Sequence, residues 1–153
     1  NGGVITKTNE MLTDEGVENS NAKLIKKGTT LISFKLSIGK TALAGVDLYT
    51  NEAIAALCPK DKGVVRDKYL FYLFGSGAID LSSNVGNKSI GKSLKSTVLK
   101  DEVLIPLPGI EKQDEVIAEC ERCSAEGKKK RWNEDELKNA LCAILQVHGV
   151  IKA

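Results

Sequence analysis

The strongest constraint on this chain is a change of rhythm near residue 67. Before it, short β-branched and apolar stretches alternate with glycines. Ala22-Lys23-Leu24-Ile25 runs into the turn Lys26-Lys27-Gly28, and residues 29–34, 38–44 and 48–57 follow, the last two separated by Gly45-Val46-Asp47. Such punctuation predicts short strands in a twisted, largely antiparallel or mixed sheet. After it, Tyr69, Leu70, Leu73 and Phe74 recur at helical spacing, with Gly75 and Gly77 stopping the helix. The succession predicts an α+β chain with short helices and C-terminal helices.

The flanks add detail. Residues 4–20 read as a short strand piece and one helical turn capped by Thr13. Residues 79–92, rich in Ser, Gly and Asn, read as a long loop, and residues 93–100 as a short helix. The run Val103-Leu104-Ile105-Pro106-Leu107-Pro108 reads as an apolar strand ended by its prolines. Ile110, Gln113, Val116, Ile117 and Cys120 form a helical stripe that Gly127 caps, and Lys128-Lys129-Lys130-Arg131 reads as a basic linker. Asn133 with Glu136 resembles a capping box ahead of an amphipathic helix bearing Leu137, Leu141, Ile144, Leu145 and His148. The divisions expected are residues 1–110, a connector helix at 111–127, and a linker plus amphipathic helix at 128–153.

Composition excludes several classes. With 153 residues, 42% apolar and 27% charged, the chain is an ordinary folded domain rather than a disordered one. Aromatics at 5% are too few for a platform that stacks single strands. No apolar run approaches the length of a membrane span, and no signal peptide is visible, so a cytoplasmic location without membrane contact is expected. The chain starts at Asn1 without an initiator Met, which suggests that it was cut from a larger polypeptide. Cys58, Cys120, Cys123 and Cys142 are too sparse and irregular for a secreted disulfide framework.

The net charge of +2 argues against a uniformly basic nucleic-acid binder, but it conceals segregation. Residues 19–46 hold Lys23, Lys26, Lys27, Lys35 and Lys40 and no acid. Residues 81–100 hold Lys88, Lys92, Lys95 and Lys100 and no acid. Residues 111–126 carry six acids against two bases. Lysines interleaved with small polar residues suit duplex DNA, where lysine neutralises phosphate and short polar side chains reach phosphate or base edges. An ordinary solvated surface accounts for the same charges. The acidic helix is expected to face a protein partner.

Catalytic and metal readings fare worse. Ser37-Ile38-Gly39-Lys40-Thr41 resembles the end of a phosphate loop, but Phe34 stands where the first glycine is required. Cys120-x-x-Cys123 has a zinc-like spacing; Cys142 and His148 do not complete it, so no metal is expected. His148, the only histidine, has no nucleophile motif beside it. The paired carboxylates at 14–15, 101–102, 114–115 and 134–135 lie at element ends, where capping explains them. No Asn/Asp-Pro-Pro-aromatic run is present, and Phe74-Gly75-Ser76-Gly77 lacks the spacing of a methyl-donor loop, so the chain is no methyltransferase catalytic domain. No catalytic residue and no cofactor are expected.

A resemblance joins these readings. The stretch Ala22-Lys23-Leu24-Ile25-Lys26-Lys27-Gly28-Thr29-Thr30-Leu31-Ile32-Ser33-Phe34-Lys35-Leu36-Ser37-Ile38-Gly39-Lys40 resembles the central signature of target-recognition domains from type I restriction–modification specificity subunits. Thr50-Asn51-Glu52-Ala53-Ile54 is similar to the family's Thr-Asn-Gln-Ala-Ile, and Tyr69-Leu70-Phe71-Tyr72-Leu73 to the helix after it. Ser93-Leu94-Lys95, Thr97-Val98-Leu99-Lys100 and Ile105-Pro106-Leu107-Pro108 with Glu111-Lys112-Gln113 follow in the family's order. The resemblance spans residues 10–120. It departs from the pattern at both ends, where a further strand-rich portion and a long coiled coil would stand.

The resemblance implies a non-catalytic DNA-recognition part of a restriction–modification system, from a standalone subunit or a fused methyltransferase–specificity polypeptide. Its partners would be double-stranded DNA and methyltransferase and restriction subunits, with a homodimer through the helices as a further option. Lys35, Ser37, Lys40, Lys88, Ser89, Lys92 and Lys95 become candidate phosphate contacts. Asn51, Asn84 and Asn87 become candidates for base readout. The alternative is an assembly module that docks a methyltransferase or self-associates through its terminal helices.

Overall fold

The computed structural model describes residues 3–35, 37–81, 94 and 96–152. In chain order its elements are β1 (Gly3–Ile5), α1 (Asp14–Glu18), β2 (Thr30–Ser33), β3 (Thr41–Ala44), β4 (Ile54–Leu57), α2 (Asp67–Gly75), α3 (Ser96–Asp101), α4 (Ile110–Lys130) and α5 (Glu134–Val147). The strands form one mixed sheet in the order β1-β3-β2-β4. The β1–β3 pair is parallel, and the pairs β2–β3 and β2–β4 are antiparallel. The α+β architecture with a mixed sheet and C-terminal helices is the one the sequence predicts.

The register sorts the sheet into two faces, because neighbouring side chains point opposite ways. Thr30 faces Leu43, Leu31 faces Ala42 and Ile32 faces Thr41 across β2–β3, while Leu31 faces Ala56 and Ser33 faces Ile54 across β2–β4. Thr30, Ile32, Thr41, Leu43, Ala55 and Leu57 therefore share the face that meets α2. Thr30 marks this face by donating its hydroxyl to the Asp67 carbonyl at 2.5 Å. Leu31, Ser33, Ala42, Ala44, Ile54 and Ala56 share the other face. There Ile25, Leu31, Ala44 and Leu48 make a small separate core with Ile5, Ile54 and Ala56.

The main core lies on the α2 side. Every residue from Tyr69 to Phe74 is buried, more than the single stripe read from the sequence. A helix apolar all round must be enclosed. α2 is so enclosed: the sheet covers one side, and α4 and α5 cover the other with Val116, Cys120, Leu141, Ile144 and Leu145. Burial raises the phenols of Tyr69 and Tyr72 to about 12. The Tyr69 hydroxyl is satisfied by donating to the Pro106 carbonyl at 2.7 Å.

Local signals explain most boundaries. Thr13 accepts from the Gly16 amide at the start of α1, as predicted. Asn133 and Glu136 form the reciprocal capping box that opens α5. Several expectations differ. The segment 103–108 forms no strand and, among the described residues, pairs with none: its prolines lack N–H groups, and side chains from α2 and α4 take up the Pro106 and Pro108 carbonyls. Ile25 and Leu48 meet only in an isolated bridge, so the strand expected over 48–57 is confined to Ile54–Leu57.

Gly127 is not a cap but lies inside α4, and the four-residue basic run is that helix's last turn and its cap rather than a linker. The Trp132 and Arg131 amides close back on the Gly127 and Lys128 carbonyls at 2.9 and 3.3 Å, with Arg131 at φ 58 in the left-handed position. Glycine at 127 is required by the Trp132 ring, since a Cβ there would stand 2.8 Å from its Cε3. Lys128, Lys129 and Lys130 sit where the helix dipole favours cations.

The acidic helix α4 carries its charges mostly in pairs. Its carboxylates are engaged largely within the chain: Asp114 with Arg66, Glu121 with Lys68, Glu115 with Lys112, Glu126 with Lys130 and Glu119 with His148. The Arg66 guanidinium bonds both Asp114 oxygens at 2.9 Å and holds that carboxyl below the usual range. Among the described residues, no helix is long and apolar enough to cross a membrane.

Candidate nucleic-acid interface

The sheet face away from α2 is only partly covered. Ile5, Leu31, Ala42, Leu48 and Ile54 floor an open cavity of about 510 Å³ there. Its polar rim brings together Lys35, Ser37, Lys40 and Asn51, four residues the sequence singled out, and none of its lining residues is acidic. Three come from the turn between β2 and β3, and Asn51 from the turn before β4. β2 is the central neighbour of both strands, so the sheet topology itself places the two turns together.

The turn is held by its own hydrogen bonds. Gly39 adopts φ 83, a conformation open to glycine at little cost. The Gly39 amide donates to the Ser33 carbonyl and the Ser33 amide to the Lys40 carbonyl, both at 2.9 Å. Lys40 is exposed and Lys35 half-buried, its ammonium 6.0 Å from the Phe34 ring centre. Among the described residues, neither has a carboxylate partner. Lys26, in the same acid-free stretch, is instead spent on Asp47 at 2.8 Å.

Asn51 is exposed, and its side-chain oxygen accepts from the Ala53 amide at 3.0 Å. That bond shapes the turn and, among the described residues, leaves the amide nitrogen as a donor without a partner, of a kind suited to an acceptor on a phosphate or a base edge. Thr8, Tyr49 and Thr50 also line the cavity and were missed by sequence reasoning. Thr50 opens the Thr50-Asn51 motif and Tyr49 precedes it, so that motif could have flagged both; Thr8 is remote in sequence and carries no such signal. Asn84, Asn87, Lys88, Ser89, Lys92 and Lys95 lie outside the described residues.

Of the groups weighed for metal, Cys123 and Cys142 are half-buried free thiols. Cys120 is fully buried, and burial pushes its thiol up to about 12; burial also raises Cys123. His148 Nε2 lies 2.7 Å from Glu119. Among the described residues, no cluster of three or more potential ligands is arranged around a metal position. Cys58 is exposed, so maleimide should label it in the native protein while Cys120 reacts only after denaturation. Mass mapping of labelled peptides checks this, and native-state labelling of Cys120 as fast as Cys58 would contradict the packing described.

Comparison with known proteins gives consistent matches. The family model described as the type I restriction modification DNA specificity domain matches residues 2–120. The chain is 33% identical over 113 residues to the specificity subunit of the type I restriction enzyme MjaIX of Methanocaldococcus jannaschii, covering 73% of this chain and 26% of that subunit. A solved structure from work on complex assembly and conformational transition of a type I R-M system superposes with a TM-score of 0.56 at 26% identity, over 82% of this chain and 31% of that one. The type I S subunit of M. genitalium shares the fold at a TM-score of 0.56 and 14% identity, over 70% of this chain and 29% of its own. The chain thus spans about a quarter of the length of the curated relative it matches.

Proposed function

The chain belongs to the type I restriction modification DNA specificity domain family, and from that premise we propose that it reads duplex DNA for a restriction–modification system. In this reading the rim of Lys35, Ser37, Lys40 and Asn51 meets the DNA. The lysines neutralise phosphates, while Asn51 and the neighbouring Tyr49 and Thr50 are placed for sugar or base edges. The observation that carries it is the convergence of two separate sequence segments on one acid-free rim.

The chain itself performs no bond chemistry in this reading. Residues 1–110 belong to the recognition unit, and α4 and α5 join it to methyltransferase and restriction subunits in the cytoplasm. The assembly-only alternative is not favoured, because it leaves the lysine rim without a role.

Fluorescence anisotropy with labelled duplex DNA over a salt series tests the reading. Affinity should fall steeply with salt as condensed counterions are released. Lys40→Glu should weaken binding by about tenfold at low salt and flatten the log–log salt slope by about one. Salt-independent binding, or unchanged affinity in Lys40→Glu, would sink the DNA-contact assignment.

A further inference from the structure

Ser33, the last residue of β2, is buried and lines the cavity, yet the proposed contacts do not use it. Its hydroxyl donates to the Ser37 carbonyl and accepts from the Lys40 amide, the latter at 3.1 Å. Its backbone amide and carbonyl take the Lys40 carbonyl and the Gly39 amide, both at 2.9 Å. One residue thus bonds three positions of the turn, two of which carry candidate DNA groups. A buried hydroxyl is costly unless satisfied, and this one is satisfied by the turn alone.

We infer that Ser33 is a positioning residue for DNA binding: its hydroxyl ties the Ser37 carbonyl to the Lys40 amide and so presents both residues on the rim. The inference rests on the DNA-contact reading above. An alanine at 33 leaves the Ser37 carbonyl and the Lys40 amide without their shared partner. The backbone bonds to the Lys40 carbonyl and the Gly39 amide remain, but the Ser37 carbonyl and the Lys40 amide turn towards water, and the separation of Ser37 from Lys40 is no longer fixed. DNA would have to order the turn on binding, an expense that pre-organisation avoids. Threonine keeps the hydroxyl; alanine at Gly39 disturbs the same turn through its backbone. A Cβ at 39 would meet only Leu81 Cδ1 at 3.9 Å, so the disturbance comes from φ rather than from a clash.

The test uses the whole chain, a labelled mixed-sequence duplex, anisotropy over a salt series, and circular dichroism melting for each variant. Lys40→Gln is the reference that removes a rim charge. Ser33→Ala should weaken binding by about five- to tenfold, near the effect of ordering one or two side chains. It should flatten the salt slope as Lys40→Gln does, Ser33→Thr should restore both, and Gly39→Ala should weaken binding too. A merely structural serine would lower the melting temperature and leave the salt slope of the folded protein unchanged.

If Lys40→Gln weakens binding while Ser33→Ala and Gly39→Ala bind as the unmodified chain does, the positioning role is overturned and the interface stands. If Lys40→Gln has no effect either, the interface reading fails and takes this inference with it. Should Ser33→Ala fail to fold, Gly39→Ala measured against Lys40→Gln decides by the same criterion.

Discussion

Replacing Gln113 by leucine is expected to destabilise the fold by about 3–5 kcal/mol, more than loss of an ordinary surface contact. Gln113 is fully buried near the start of α4. Its side-chain oxygen accepts from the Arg66 amide at 3.0 Å, and its nitrogen donates to the Val64 and Pro108 carbonyls at 2.8 Å each. The side chain thus binds together the entry to α2, the proline segment and the start of α4. Leucine is of broadly similar size but branches one carbon earlier, and it satisfies none of the three backbone groups. Each buried group left unpaired costs about 1–3 kcal/mol, moderated by whatever water can enter.

For a chain of this length the melting temperature should fall by about 10 °C, a large share of ordinary marginal stability. Gln113→Glu should fare no better: its carboxylate can accept from Arg66 but cannot donate to either carbonyl, and it buries a charge. Thermal unfolding followed by circular dichroism checks both. A loss below ~1 kcal/mol in Gln113→Leu would mean that the three backbone groups find other partners.

The contrast between Gln113 and the lysine rim shows what the sequence could convey. Periodicity located α4 and α5 because burial repeats every turn, whereas α2 is buried all round and showed only part of its apolar run as a stripe; Asn133 and Glu136 announced α5 because capping is a local interaction. The sheet was legible from its glycine punctuation, although residues 48–53 were overread as strand: the Thr50-Asn51 turn lies within an otherwise apolar, β-prone stretch. The 103–108 segment misled for a related reason. Its apolar pattern is strand-like, but its backbone is satisfied by Tyr69 and Gln113, partners remote in sequence. Gly127 looked like a stop because its space is filled by Trp132, which only the closed α4–α5 corner reveals.

The candidate site was half legible. Lys35, Ser37 and Lys40 are sequence neighbours and stood out by the absence of acids around them. Thr8 reaches the same cavity through β1, which pairs in parallel with β3, a connection that no local signal encodes. The engagement of the α4 carboxylates was hidden likewise. A run of acids looks the same whether it faces solvent, a partner, or Arg66 and Lys68.

That sorting of charge leads to the sharpest functional expectation. The double variant Lys35→Glu/Lys40→Glu should bind duplex DNA about a hundredfold more weakly at about 0.1 M salt, where screening acts over about 10 Å, since each reversal replaces attraction by repulsion worth ~1–2 kcal/mol near a phosphate. The change in net charge alone cannot account for such a loss if location matters. Lys128→Glu/Lys129→Glu changes net charge by the same amount but alters the end of α4, in the helical layer on the opposite face of the sheet. Lys68→Glu, on α2, removes a lysine already paired with Glu121 at 2.5 Å. Both should therefore leave affinity within about threefold of the unmodified chain once screening by salt confines each charge to its own face. Anisotropy titrations of the three variants at matched salt decide between a local contact and a global charge effect. Equal losses in the rim and helix-end doubles would show that the chain attracts DNA through net charge rather than through the turn that carries Lys35 and Lys40.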